Sequence, residues 1–379
     1  MEYQVIDPAD NVQHLHGYWQ FLIIIGIYYL TPSIQVVLYQ ETNCHYNVGC
    51  SHQVGIIHAF NNVISNIFYI LFGVLYIVIV ANKEPYKNGI TPNSGTVGDK
   101  SLYYSLGITL ILEGISSAIY HICPSRRNFQ FDTTFMIMGI ILSMLTLYNK
   151  RHRGRIMSAF KFYIMVFFVL SLNVLALTSP GKLWFWAAMF LFCSYLMIFG
   201  SIYLYYGKEY ELDMTSFNTL VAKIKTLSDN KMDQPRFILL VVLNIFTLGS
   251  CIYAALSPPD FTGWILIVVL VNMIIYFIHY LVLKYINGET IYHSIKFAMF
   301  MDAVLLITAL YFYINATTNI FLPLAESNTM GKPCVLFGYF DNHDIWHILS
   351  ASALFIFMNI ILFLDDDMDA VISETIVVF

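Results

Sequence analysis

Apolar residues in this chain run together for about twenty positions at a time and then break, with little alternation against polar ones. Ten such runs stand out, at roughly 17–38, 54–80, 101–122, 131–149, 156–178, 183–204, 236–256, 262–284, 294–314 and 345–365. A helix of about 20 apolar residues spans the hydrocarbon core of a bilayer. Backbone in lipid must also satisfy its own hydrogen bonds, which favours helices there. The pattern therefore predicts an all-α, polytopic integral membrane bundle of about ten spans. Short breakers separate several of them: SPGK at 179–182, SPPD at 257–260 and ING at 286–288. The first run, Gly17 to Leu38, is too long for a signal-peptide core and follows no basic stretch, so it reads as a span. The longest polar connector, 206–235, reads as a cytosolic loop with one short helix. The expected division is an N-terminal cytosolic segment 1–16, a bundle 17–365 and an acidic cytosolic tail 366–379.

Composition sharpens this reading. The chain is 58% hydrophobic and 11% charged, with a mean hydropathy of +0.66. Soluble domains carry roughly a quarter charged residues, so there is too little polar surface here for a water-soluble particle. The net charge of −5 decides little. No basic patch suited to direct nucleic-acid binding appears.

Orientation follows from the distribution of Lys and Arg between the runs. With both termini cytosolic, the outer connectors hold only Arg126, Arg127, Lys182 and Lys332 of the 19, which leaves 15 inside. The glycosylation sequon Asn315-Ala316-Thr317 then falls outside. Cys44, Cys50, Cys123 and Cys334 also fall outside, where oxidation is available. Four cysteines allow three connectivities. The expected one is a local Cys44–Cys50 bridge with Cys123–Cys334 as a long-range staple. Cys193 and Cys251 lie within spans and read as packing residues.

Strict alternation of spans brings candidate chemistry to one face. His121 ends the third run, Asp132 begins the fourth, and His343 and His347 enter the tenth, all on the outer side. Residues four apart share a helix face, so His343 and His347 can grip one ion together. Three histidines and one aspartate form a ligand set suited to Zn2+. Direct ligation by Asp132 would close the shell; an Asp132 set back would leave room for an activated water. Direct ligation in the resting state is the expectation. Ser117 lies one turn below His121 and Glu113 one turn below that, making a polar stripe. In a catalytic site Asp132 would act as general base and Ser117 would stabilise an oxyanion.

The segments SSAIYHICPSRRNFQFDTTF, FNNVISN at 60–66, and FDNHDIWHILSASALF followed by LDDDMD resemble the systemic-RNAi-defective (SID) transmembrane family. The resemblance extends from about Tyr18 to the C-terminal residues. It implies a place in a superfamily with alkaline ceramidases and adiponectin receptors, whose zinc pattern of Ser-x3-His, Asp and His-x3-His falls on Ser117, His121, Asp132, His343 and His347. It further implies double-stranded RNA transport, with a zinc-dependent lipid hydrolase (ceramidase- or phospholipase-like) or a cholesterol-binding module without turnover as alternatives. Membrane lipids, cholesterol and a second copy of the chain are the implied partners. The implied location is the plasma membrane or the endosomal and lysosomal membranes. Family members begin with a large β-rich extracellular domain and one further span, and this sequence starts at what resembles their second span. Double-stranded RNA binding is therefore expected to need that extracellular domain.

Weaker signals complete the reading. Asn61, Asn62, Ser65 and Asn66 read as interhelical glue. Asp302 is a carboxylate within a span, a costly placement. Leu145, Tyr148 and Lys150 fit a loose cholesterol-contact pattern. Asp365, Asp366, Asp367 and Asp369 read as a solvated acidic end, with a clasp onto the basic stretch 150–155 as the alternative.

Overall fold

The computed structural model describes residues 17–38, 44–83, 95–96, 100–126, 128–151, 159–178, 183–206, 233–316, 319–372 and 375–377. The expected N-terminal segment 1–16 and nearly all of the 206–235 connector lie outside the described residues. The elements, in order, are α1 (Tyr18–Leu38), α2 (Phe60–Ile64), α3 (Ile67–Asn82), α4 (Lys100–Tyr120), α5 (Gln130–Asn149), α6 (Ala159–Thr178), α7 (Leu183–Tyr206), α8 (Asp233–Leu256), α9 (Phe261–Ile286), α10 (His293–Ile314), α11 (Leu324–Thr329) and α12 (Asn342–Phe363). Among the described residues there are only isolated bridges outside the helices, Val54 with Ile57 and Leu336 with Phe340. The fold is all-helical. Among the described residues, seven stretches are long and apolar enough to cross a membrane: the α2–α3 pair, α4, α5, α8, α9, α10 and the one that begins with α12. Helices α1, α6 and α7 coincide with the remaining predicted runs.

Two boundaries differ from the apolar pattern for identifiable reasons. The run at 54–80 begins as a turn closed by the Val54–Ile57 bridge, so helix starts only at Phe60. It then breaks at Ser65 and Asn66, where the Ser65 hydroxyl bonds the Asn62 carbonyl and the Asn66 amide does the same. Such local bonds compete with the helical ladder. At the other boundary α12 starts at Asn342, ahead of the apolar run, because Asp341 and Asp344 form a reciprocal capping box. His343 and His347 are therefore both helical.

Helices α3 and α4 approach closely through glycine. A Cβ on Gly73 would stand 2.7 Å from the Gly107 carbonyl oxygen, and one on Gly114 would stand 2.9 Å from the Asn66 oxygen. Small residues of this kind let membrane helices pack backbone to backbone. Around this pair, Leu106, Leu110, Phe135, Met138, Phe357 and Ile361 join a core shared by α4, α5 and α12. Helix α12 packs along α10 and α3, which places its first turn over the end of α4.

The opposite end of the bundle is tied by buried charge. Arg151 donates to both Glu289 carboxylate oxygens, at 2.7 and 2.6 Å, and to Asp365 at 2.7 Å. Lys284 reaches Asp365 at 3.0 Å and Asp367 at 2.8 Å, while Lys83 pairs with Asp366 at 2.7 Å. The acidic end is thus not solvated at Asp365, which is 2% exposed. It is a clasp, made by Lys150 and Arg151 together with Lys284, which the sequence pattern did not single out. Residues 152–155 of the basic stretch lie outside the described residues.

Candidate functional site

The loops at the histidine end are pinned before the site is assembled. Cys44 is bonded to Cys123, and Cys50 to Cys334. This corrects the expected pairing of Cys44 with Cys50 and Cys123 with Cys334. Segment 44–46 lies along 122–124, with the His45 amide donating to the Pro124 carbonyl at 2.8 Å and the Tyr46 hydroxyl to the Ile122 carbonyl at 2.7 Å. Gly49 lies against the Lys332 backbone, which brings Cys50 to Cys334. Cys193 and Cys251 are free and buried in an apolar cluster, as packing residues should be.

His121 sits in the turn just past α4, its amide still bonded to the Ser117 carbonyl at 2.9 Å. Asp132 lies in the first turn of α5. The α4–α5 hairpin is held by a short bond from the Ser116 hydroxyl to the Phe131 carbonyl. It sets the Ser117 hydroxyl 2.5 Å from Asp132 Oδ1, and that oxygen stands 3.6 Å from His121 Nε2. From α12, His343 Nε2 comes within 3.2 Å of His121 Nε2. Ligand atoms of His121, His343 and His347 all lie within 4.8 Å of one another. The structure brings together the five residues expected there. Among the described residues, Asp132 reaches ion-pair distance of His121 but not of His343 or His347.

Of these, His121, Asp132 and His343 line a cavity of about 300 Å³. Tyr120, Phe129, Tyr313 and Phe321 give it aromatic sides, and His45, Asn47, Asn62 and Asn319 add polar points. The stripe below His121 is longer than the sequence reading took it to be. Ser101, Ser105, Thr109, Glu113, Ser117 and His121 follow one another at four-residue spacing, all buried.

A second layer of polar residues was missed. The Ser65 hydroxyl lies 2.8 Å from His347 Nδ1 and 3.3 Å from Asp344 Oδ1. Asn61 donates to Asp344 Oδ2 at 2.8 Å and to the Cys50 carbonyl at 3.1 Å, and its own oxygen accepts from the His52 amide at 3.1 Å. Asn47 donates to Asp341 at 3.0 Å. The FNNVISN motif carries the signal for this layer, beyond the interhelical packing that its residue types suggest.

Other candidates resolve differently. Cys50, His52 and Cys334 cluster like ligands, but the two cysteines are joined to each other, which leaves His52 stacked on Tyr339. Tyr148 is buried within the core beside α9, and Lys150 is buried facing Asp365, so this cholesterol-contact pattern does not face lipid. Asp302 is buried in α10, with Oδ1 unpartnered among the described residues. Asn315 ends α10 and donates to the Tyr311 carbonyl at 2.8 Å; Thr317 of its sequon lies outside the described residues.

Apolar helices of spanning length, carrying a buried histidine cluster at one end, define a polytopic integral membrane protein. Residues 4–379 match the family described as dsRNA-gated channel SID-1, and the chain belongs to that family. It is 33% identical over 387 residues to SID1 transmembrane family member 1 of Homo sapiens, covering 96% of this chain and 46% of the relative. It is 29% identical over 383 residues to Cholesterol uptake protein 1 of Caenorhabditis elegans, covering 94% and 50% respectively. The chain spans about half the length of these relatives.

Proposed function

We propose that this chain is the membrane module of a protein that moves double-stranded RNA across a membrane, with Zn2+ held at the histidine end by His121, His343 and His347. The family match over residues 4–379 is the observation that carries the transport reading. The polar file along α4 is too narrow for a nucleic-acid duplex, so on this reading the path forms between copies of the chain. Zinc fits the donor set. Tetrahedral ligands 2.0–2.1 Å from zinc lie about 3.3 Å apart, and the two imidazole nitrogens of His121 and His343 are 3.2 Å apart. Imidazole is also a favoured zinc donor. Asp132 touches this set through His121 alone, which favours a role beside the shell and departs from the direct ligation expected from the sequence.

The test expresses the chain joined to the extracellular domain of a family relative, in cells that do not take up RNA, and measures entry of labelled double-stranded RNA at matched surface expression. Entry above the empty-vector control is expected, with loss in His343→Ala. Entry equal to the control overturns the transport reading.

The Ser117–Asp132 pair beside the imidazoles favours a second reading, hydrolysis of a lipid amide or phosphoester at the aromatic cavity. Zinc, when bound, supplies Lewis-acid polarisation and a lowered water pKa. Asp132 would accept the proton of the attacking water; once that carboxyl is protonated, the single proton of the Ser117 hydroxyl, donated to it in the resting state, is free to turn to the developing oxyanion. Tyr120, Phe129 and Phe321 would hold the apolar part of the substrate and exclude bulk water. A lipid-release assay on purified protein checks this. Release that persists in Asp132→Asn contradicts it, and sterol binding without release would instead favour the cholesterol reading.

A further inference from the structure

We infer that Asn61, Ser65 and Asp344 form a positioning relay that fixes which nitrogen of His347 faces the metal. The inference rests on the zinc reading above and deepens it. His347 is 2% exposed and its Nδ1 meets the Ser65 hydroxyl at 2.8 Å. That hydroxyl has one proton and two oxygen acceptors within reach, the Asn62 carbonyl at 2.9 Å and Asp344 Oδ1 at 3.3 Å. When the proton goes to either oxygen, Ser65 accepts from the Nδ1–H of His347. The imidazole is then held with its Nε2 lone pair free, the form that ligates metal. If Ser65 instead donated to Nδ1, Nε2 would carry the proton and the ligand would be lost.

The relay is anchored on both sides. Asp344 accepts from Asn61 and from the Asp341 amide at 2.9 Å, so its carboxylate cannot turn away from Ser65. Both polar side-chain atoms of Asn61 are engaged, one bond running to the carbonyl of Cys50, which is joined to Cys334. The Cys50–Cys334 bridge thereby holds the relay in register with α12. Partners of this kind behind a histidine ligand are worth roughly 10- to 100-fold in metal affinity.

The test uses the purified full chain in nanodiscs, stripped with chelator and titrated with Co2+, followed by Zn2+ competition against a fluorescent chelator. The wild type should bind one ion with a tetrahedral visible spectrum. Ser65→Ala should bind roughly 10- to 100-fold more weakly, with a shifted Co2+ band and an unchanged melting curve, and Ser65→Thr should restore the affinity. Asp344→Asn should weaken binding in the same direction. If Ser65→Ala does not fold, the near-isosteric pair Ser65→Thr and Ser65→Val gives the same comparison. Wild-type affinity and spectrum in folded Ser65→Ala and Asp344→Asn overturn the relay and leave the zinc reading standing. A wild type that takes up neither ion overturns the zinc reading, and the relay falls with it.

Discussion

Arg151 and Asp365, 214 residues apart, meet at 2.7 Å with both side chains closed to water. Removing one partner leaves a buried, uncompensated charge, which typically costs about 3–5 kcal/mol. Arg151→Met and Asp365→Leu should each lower the unfolding midpoint in detergent substantially. The double variant should recover part of the loss, and only part, because Lys284 and Glu289 share the cluster. Single variants that melt with the wild type would show that the clasp contributes nothing.

Peptide mapping without reduction should recover Cys44 linked to Cys123 and Cys50 linked to Cys334. Cys193 and Cys251 should be alkylated only after unfolding, since both are buried. A Cys44–Cys50 peptide would contradict this arrangement.

Elemental analysis should find about one zinc per chain, and His343→Ala or His347→Ala should remove most of it, because each deletes one of three convergent ligands. Asp132→Asn, nearly isosteric, should keep the fold and most of the zinc at saturating metal, with affinity reduced roughly 10- to 100-fold. Joint collapse of zinc content and melting temperature in Asp132→Asn would place Asp132 in the shell after all.

Lys150, just past α5, has its ammonium pushed down to about 8 by burial, which the nearby Asp365 carboxylate only partly offsets. The folded chain therefore holds fewer protons than the unfolded one between pH 8 and the ordinary lysine value of 10.5. Stability from this residue should rise with pH across that window and be lowest below it. Lys150→Met should abolish the rise, read as the wild-type melting temperature gaining on that of the variant from pH 7.5 to 10.5. Parallel curves would contradict the assignment.

The helices were legible in the sequence because run length and composition are local properties, and lipid imposes them span by span. So was the meeting of His121, Asp132, His343 and His347, since alternation of spans and four-residue spacing fix both depth and face. The cholesterol pattern at Tyr148 misled for the converse reason. Lipid and protein interior are equally apolar to such a residue, and only the packing of α5 on α9 turned it inward.

The sequence by itself determined the class of protein, the helix ends that carry its polar residues and the ligand types available. Tertiary structure decided the partners. Cysteine pairing depended on which loops lie side by side across 79 and 284 residues, a distance that spacing does not encode. Ser65 and Asn61 became part of the histidine site only because the break between α2 and α3 lies against the first turn of α12. Asp365 ceased to be a surface charge because Lys150, Arg151 and Lys284 arrive from two other helix ends. A buried polar group must be paired, but the identity of its partner is set by the packing of elements distant in the chain.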